Sequence, residues 1–378
     1  MRTATIVFGS ILGALALAGL GGAQQDIGPP KLIWDEVVDK AVAYLKGAQE
    51  PGGGWSTAKS PGVTGVVLTG LLKSRKVTSK DPVAEKALGY IESLVNPKAK
   101  HIAGKDPKVQ LQNYVTCINV MALSEANLAG KYKAIIGDAV AFLKQLQWDE
   151  GEGKNPKDDF FGGAGYDSKS RPDLSNTQFF LDALKAAGVP EDDPALKKAM
   201  IFVSRCQNLK GETNDQAWSK LINDGSFIYT PASGGVTKVV DQPNPDGSLP
   251  GYGSMTYAGI KSLIYCGVSK DDPRIKKAYE WIQHNYTVDK NPGMPEVRSQ
   301  WGLYYYYNTM AKSLDALGLD LVVDAAGKKH DWRRDITKAL EKRQHKDGSF
   351  SNISNWMEAD PNLVTGYALM ALSYCRPK

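Results

Sequence analysis

The sequence predicts an all-α protein, an (α/α)6 toroid in a single domain with six inner and six outer helices. Two observations lead to this prediction. Amphipathic and almost wholly apolar helical patterns alternate six times along 378 residues, and a threonine–leucine pair recurs in the apolar ones. A helix that is apolar all round must be buried, whereas an amphipathic helix can face water. An inner ring of apolar helices inside an outer ring of amphipathic helices satisfies both requirements. The uneven loop lengths and the number of repeats, six, favour a closed ring over an open solenoid.

The apolar helices share one register. Threonine and leucine seven residues apart occur in five of them, and tyrosine replaces threonine in the sixth. The pairs are Thr64/Leu71, Thr116/Leu123, Thr177/Leu184, Thr256/Leu263, Tyr307/Leu314 and Thr365/Leu372. One such pair means nothing, but five of them inside Gly- and Ala-containing helices indicate an internal repeat.

An amphipathic helix with more charge precedes each apolar helix. Five of the six carry an aspartate near the start, where a carboxylate can accept hydrogen bonds from free N–H groups and meet the positive end of the helix dipole. The predicted outer helices are 35–49, 81–95, 134–147, 192–207, 271–285 and 330–344.

The connectors between the paired helices carry a second repeated signal. Four outer helices end in glutamine, at Gln49, Gln147, Gln207 and Gln344. A glycine-rich turn with an aromatic residue follows three of them, at 52–55, 224–227 and 347–350. Asp-Gly favours tight turns, because glycine takes positive φ freely and aspartate bonds its own backbone. We expect the aromatic side chain to pack under the turn and the glutamine to reach backbone groups at the next helix start.

These residues resemble the QW-type repeats, Gln-x-x-x-Gly-x-Trp/Phe, of the squalene cyclase and protein prenyltransferase β-subunit superfamily. The segment 344–350 matches closely, and 49–55 matches with one glycine more. The resemblance extends over about residues 35–376 and implies a terpenoid cyclase-like toroid. It does not fix an activity, because one fold hosts many functions.

A squalene cyclase would imply a proton donor in an Asp-x-Asp-Asp-Thr motif at the start of an inner helix. The matching residues are Asp173, Leu174, Ser175, Asn176 and Thr177. Protonating an alkene requires an acid that stays protonated and is strengthened by its neighbours. A hydroxyl and a carboxamide cannot supply that proton, so Asp173 is the single candidate catalytic residue. We expect no standard cyclase chemistry, with an atypical terpene cyclase that uses Asp173 as one alternative.

A protein prenyltransferase would imply zinc, and the positions that match its ligands hold Pro250, Tyr252 and Val364. None of these side chains binds zinc. The sequence also contains no Walker-type phosphate loop and no GxGxxG after a strand. We therefore expect neither a metal nor another cofactor.

In a toroid the first turns of the inner helices converge on the central opening and should line a cavity. The candidate ligand-binding residues there are Gln112, Tyr114, Ser175, Asn176, Tyr252, Trp301, Tyr305, Trp356, Asp360 and Asn362. Aromatic side chains with a few polar groups are usual in ligand sites, although each aromatic could equally pack between helices. The long connectors 148–171 and 208–252 are expected to fold over the mouth of the ring as lids.

We expect a protein that binds a small apolar or isoprenoid-like ligand in this cavity. The alternatives are a glycan-active enzyme or a glycan-binding module, with a glycan the less favoured ligand, and a protein-interaction scaffold. Nucleic acid is excluded as a partner, because the net charge of +5 is mild and both signs alternate along the outer helices.

The first 23 residues read as a signal peptide. Arg2 precedes an apolar run at 6–20, and small residues at 21–23 form a cleavage site. We expect an exported protein, periplasmic or secreted, whose toroid occupies 24–378 and which has no transmembrane segment after cleavage. Buried thiols and disulfides both remain open for the four cysteines, Cys117, Cys206, Cys266 and Cys375.

Overall fold

The computed structural model of the protein describes residues 27–106, 111–352 and 355–378. The predicted signal peptide, residues 1–23, lies outside the described residues. Within them the fold is all-α apart from one antiparallel pair of two-residue strands, β1 (Val322–Val323) and β2 (Lys329–His330). In the same ranges no helix is long and apolar enough to cross a membrane.

Outer and inner helices alternate along the chain as predicted. The outer helices are α1 (Lys31–Gly47), α3 (Pro82–Ser93), α5 (Lys133–Gln145), α7 (Pro194–Arg205), α10 (Pro273–Asn285) and α12 (Trp332–Arg343). The inner helices are α2 (Gly62–Lys73), α4 (Gln112–Ala126), α6 (Leu174–Ala186), α9 (Gly253–Tyr265), α11 (Leu303–Leu317) and α13 (Pro361–Tyr374). A four-residue helix, α8 (Ser219–Ile222), lies in the long connector before α9.

The inner helices close into a ring. Helix α2 packs on α4, α4 on α6, α6 on α9, α9 on α11 and α11 on α13, and α13 returns to α2. Outer helices cover this ring, and α1 contacts α12 where the chain begins and ends. The predicted (α/α)6 toroid is confirmed.

The recurring threonine holds the connector that enters each inner helix. In five repeats its hydroxyl accepts a hydrogen bond from a backbone N–H of that connector, over 3.0–3.2 Å. The donors are the N–H groups of Trp55, Ile102, Ala164, Phe227 and Phe350. The donor in each case is a backbone N–H group, so the hydrogen bond does not depend on the side chain of the donor residue. This is why the threonine recurs in the sequence while the donor residue varies.

The terminal glutamines join successive outer helices. Gln207 Nε2 donates to the carbonyl of Gly225 in the turn (3.1 Å) and to the carbonyl of Arg274 in the first turn of α10 (2.9 Å). Gln49, Gln147 and Gln344 make the same pair of bonds, and Gln344 reaches α1, which closes the outer ring. The expected reach of glutamine to the next helix start is confirmed, and the turn of Gln147 lies at Gly162, which the sequence analysis did not identify.

These turns require glycine because they pass very close to the backbone of a neighbouring outer helix. Gly348 has φ +90°, and a Cβ there would lie 2.2 Å from the carbonyl oxygen of Lys40 in α1. Phe350, two residues on, is fully buried under the turn. No other residue can pass that close to backbone at positive φ without displacing the helix.

All four cysteines are buried free thiols.

Candidate ligand-binding site

A cavity of about 330 Å³ lies at the N-terminal ends of the inner helices, and every inner helix contributes to its wall. Fourteen of its twenty-one lining residues are aromatic, aliphatic or methionine. The aromatic ones are Tyr114, Tyr166, Tyr229, Tyr252, Tyr305, Trp356 and Tyr367. The polar ones are Ser60, Ser175, Lys238, Ser254 and Glu358. This volume falls at the small end of the range of small-molecule sites, about 300–1,000 Å³.

The structure brings five of the eleven predicted site residues to this wall. They are Tyr114, Ser175, Tyr252, Tyr305 and Trp356. Both long connectors also reach it, with Tyr166 from 148–171 and with Tyr229 and Lys238 from 208–252. Tyr166 and Trp356 are partly exposed and lie where the cavity meets the surface.

The other six predicted residues lie outside the wall. They are Gln112, Asp173, Asn176, Trp301, Asp360 and Asn362. Asp360 accepts the N–H groups of Asn362 and Leu363 and so caps α13, and it also pairs with Lys59 at 2.7 Å. Trp301 packs edge-on against Trp356, with ring centroids 6.0 Å apart.

Asp173 caps α6 from a buried position. Its two carboxylate oxygens accept the backbone N–H and the side-chain amide of Asn176, each at 2.8 Å. Burial raises the pKa of Asp173, while these hydrogen bonds and the charge of Arg171 oppose the rise.

Lys238 brings a positive charge to the wall. It is half-buried, and its ammonium lies 4.4 Å from the ring centroid of Tyr229. Burial lowers the pKa of Lys238, and the nearby charge of Arg171 lowers it further. A cation over an aromatic face is attracted by the ring quadrupole. The sequence offers no periodic signal for this lysine, because it lies in a connector.

Glu358 is the buried carboxyl of the wall. Its Oε1 accepts the N–H groups of Tyr304 and Tyr305 in the first turn of α11, at 2.8 and 3.0 Å, and its Oε2 accepts the Asn352 amide at 2.7 Å. Burial nevertheless raises the pKa of Glu358 to about 7. The preceding residues 356–357 adopt positive φ, which bends the chain so that this carboxyl reaches the helix. Sequence analysis missed Glu358, although it is the acidic residue beside the predicted Trp356.

Tyrosine hydroxyls form a polar layer within the aromatic wall. Tyr305 donates to Ser175 at 3.2 Å and accepts from Gln178 at 2.7 Å, and the hydroxyls of Tyr114 and Tyr367 are 3.2 Å apart. These bonds give partners to three of the six tyrosine hydroxyls of the wall. The faces of the rings remain for a ligand.

Deeper in the ring, Gln178 connects this layer to a buried charge cluster. Its side-chain oxygen accepts from Lys261, and both Lys261 and Lys312 pair with Asp182, at 2.9 and 2.8 Å. Burial lowers the pKa of Lys261 to about 8, with the charge of Lys312 adding to that effect and the charge of Asp182 opposing it. Two cations therefore share one carboxylate.

No described group of three or more His, Cys, Asp or Glu side chains could hold a metal ion. Among the described histidines, His101 is 3% exposed and packs against Phe142, with ring centroids 5.2 Å apart. Burial lowers its pKa, so the neutral ring is favoured.

The fold is shared with enzymes of two kinds. A variant of the type II terpene cyclase MstE from Scytonema is 13% identical, covers 91% of this chain and 97% of its own, and superposes with a TM-score of 0.56. A polysaccharide lyase is 11% identical, with 90% and 96% covered and a TM-score of 0.53. A family 88 glycosyl hydrolase from Bacteroides vulgatus is 10% identical, with 90% and 98% covered and a TM-score of 0.53.

No protein-family model matches the sequence, and no curated protein matches it. Identities of 10–13% establish the fold and leave the reaction open. The QW-type repeats and the closed ring of inner helices agree with that likeness. The chain is an (α/α)6 toroid, a fold that it shares with a type II terpene cyclase and with glycan-active enzymes.

Proposed function

We propose that this protein binds a small apolar, isoprenoid-like molecule in the central cavity, without standard cyclase chemistry and without zinc-dependent prenyl transfer. The observation that supports binding is the cavity itself, about 330 Å³ in volume and lined mainly by tyrosine, tryptophan and aliphatic side chains. Removing apolar ligand surface from water into such a wall is favourable by about 25 cal/mol per Å².

The absence of a cyclase proton donor supports the second half of the proposal. Asp173 uses both carboxylate oxygens to accept hydrogen bonds from Asn176, and it lies outside the cavity wall. Ser175, which does line the cavity, is not an acid. The residues at the position of the cyclase acid motif therefore supply no suitable donor for the protonation of an alkene.

Binding can be tested with farnesol and squalene, followed by the fluorescence of Trp356 and its neighbours and by extraction and mass spectrometry. Val63→Phe should fill the cavity, because Val63 is buried in its wall. Val297→Phe is the matched control, because Val297 is 85% exposed and outside it. We expect saturable binding that Val63→Phe abolishes and Val297→Phe preserves. Equal binding by both variants would refute the assignment to the cavity, and a cyclic product would refute the non-catalytic half.

A glycan is the second candidate ligand. The observation that favours it is Trp356, a wall residue with 42% exposure that presents an indole at the mouth of the cavity beside the carboxyl of Glu358. Binding on a glycan array that Trp356→Ala removes, or release of reducing ends from a polysaccharide, would favour this candidate over an isoprenoid.

We also propose that the protein is exported after removal of residues 1–23. The basic start, the apolar run and the small residues at 21–23 support this. The intact mass of protein from the exported fraction should correspond to a chain that begins at Gln24. A chain that retains residues 1–23 would contradict the proposal.

A further inference from the structure

Lys238 lies in the cavity wall, and the positive charge of Arg171 acts on it. Each repels the other, which contributes to the lowered pKa of Lys238. The carboxylate whose charge acts on this lysine in the opposite sense is that of Asp173, and its effect is weaker than that of Arg171. A half-buried ammonium beside a second cation is costly unless another negative group reaches it.

Asp173 is not free to approach the lysine, because both of its carboxylate oxygens accept hydrogen bonds from Asn176. Its charge still favours the charged form of Lys238. The face of the Tyr229 ring lies under the ammonium, with 4.4 Å between the nitrogen and the ring centroid. The Tyr229 ring thus holds the lysine at the wall and leaves its N–H donors to an acceptor on a ligand, since an ammonium has three N–H groups.

Glu358, the carboxyl of the same wall, does not neutralise Lys238 either. Its oxygens are occupied by two N–H groups of α11 and by Asn352. The rest of the wall is aromatic, aliphatic, methionine, glycine or serine. The cavity therefore has an apolar body and one positive group at its side.

We propose that Lys238 binds a single anionic group, a carboxylate or a phosphate monoester, on a ligand whose apolar body lies among the tyrosines. This inference rests on the proposed function and specifies the chemical class of the ligand. Tyr229 is a positioning residue in it, because it acts through the lysine. A neutral ligand would leave the ammonium without a partner and would bind less tightly.

The test compares three ligands with the same chain, namely farnesol, farnesoic acid and farnesyl monophosphate. We expect the protein to bind at least one of the two anions about 10- to 100-fold more tightly than the alcohol, the effect of one charge-assisted hydrogen bond. Whichever anion is preferred identifies the head group. Lys238→Met should remove that preference, and Lys238→Arg should retain it.

Lys154→Met is the matched control. Lys154 is also half-buried and also lies over aromatic rings, 4.9 Å from the centroid of Phe160 and 5.8 Å from that of Trp148, but it is not part of the cavity wall. This variant should bind all three ligands as the native protein does. Equal affinity of the native protein for alcohol and anions, or a preference that survives Lys238→Met, overturns the inference while farnesol binding still supports the proposed function. Binding of none of the three overturns both.

Discussion

Glu358→Gln is the perturbation that tests the electrostatics of the cavity wall most directly. Glu358 is 1% exposed, and burial raises its pKa from the ordinary 4.5 to about 7. A carboxyl whose pKa is higher in the folded protein than in the unfolded chain stabilises the fold fully below the unfolded value. That stabilisation is lost as the pH rises through the folded value.

The magnitude follows from the two pKa values. At about 1.4 kcal/mol for each pH unit between 4.5 and about 7, the loss is about 3 kcal/mol. Glutamine at this position does not titrate, and its carbonyl oxygen can still accept the N–H groups of α11. The free energy of unfolding of the native protein minus that of Glu358→Gln should therefore fall by about 3 kcal/mol between pH 4.5 and pH 8.

Urea denaturation of both proteins in half-unit steps over that range measures the difference. Glu296→Gln is the control, because Glu296 is 81% exposed and forms only a surface pair with Lys290. The free energy of unfolding of Glu296→Gln should differ little from that of the native protein, and the difference should change little with pH. If the Glu358→Gln difference were also flat, or rose with pH, the argument that burial keeps this carboxyl protonated would be refuted.

Three further predictions concern stability, each measured by urea denaturation. Gly348→Ala should cost more than about 3 kcal/mol, because positive φ and a backbone clash combine, whereas Gly130→Ala, at φ +77° with open space around it, should cost about 1–2 kcal/mol. Gln207→Leu should cost about 2–4 kcal/mol, because two carbonyls lose their donor. Lys261→Met should change stability by less than about 1.5 kcal/mol and Asp182→Asn should cost about 3–5 kcal/mol, because only the latter leaves buried cations without a carboxylate. Equal costs within either pair would contradict the reasoning.

The repeat could be predicted from the sequence because its key contacts are made to backbone at fixed spacing. Threonine and glutamine recur since each bonds a peptide group that is present in every repeat. The turn of Gln147 escaped notice because its glycine, Gly162, follows an insertion, so that the two residues are fifteen apart. Gln147 and Gly162 therefore form the same hydrogen bond as in the other repeats, although they are further apart in the sequence.

The site could be predicted only in part, and the reason is a competition at the helix starts. First-turn aromatics such as Tyr114 and Tyr305 make their side-chain hydrogen bonds to other inner helices, and they line the cavity. Short polar residues there have an alternative, because the free N–H groups of their own helix attract them. Asp173 and Asp360 take that alternative and cap α6 and α13. Lys238 and Glu358, which reach the wall from connectors, follow no periodic pattern.

The role of Asp173 connects the fold with the proposed ligand. The family that the chain resembles has an acid at this helix start, and an acid must present a proton to the cavity. Here both carboxylate oxygens accept hydrogen bonds from Asn176, which stands where that family has a further carboxyl. The charge of Asp173 also favours the ammonium form of Lys238, which lies over the ring of Tyr229 in the cavity wall. In the ligand site that we propose, the position that would protonate a hydrocarbon in a cyclase therefore helps to keep a cation beside the cavity for an anionic ligand.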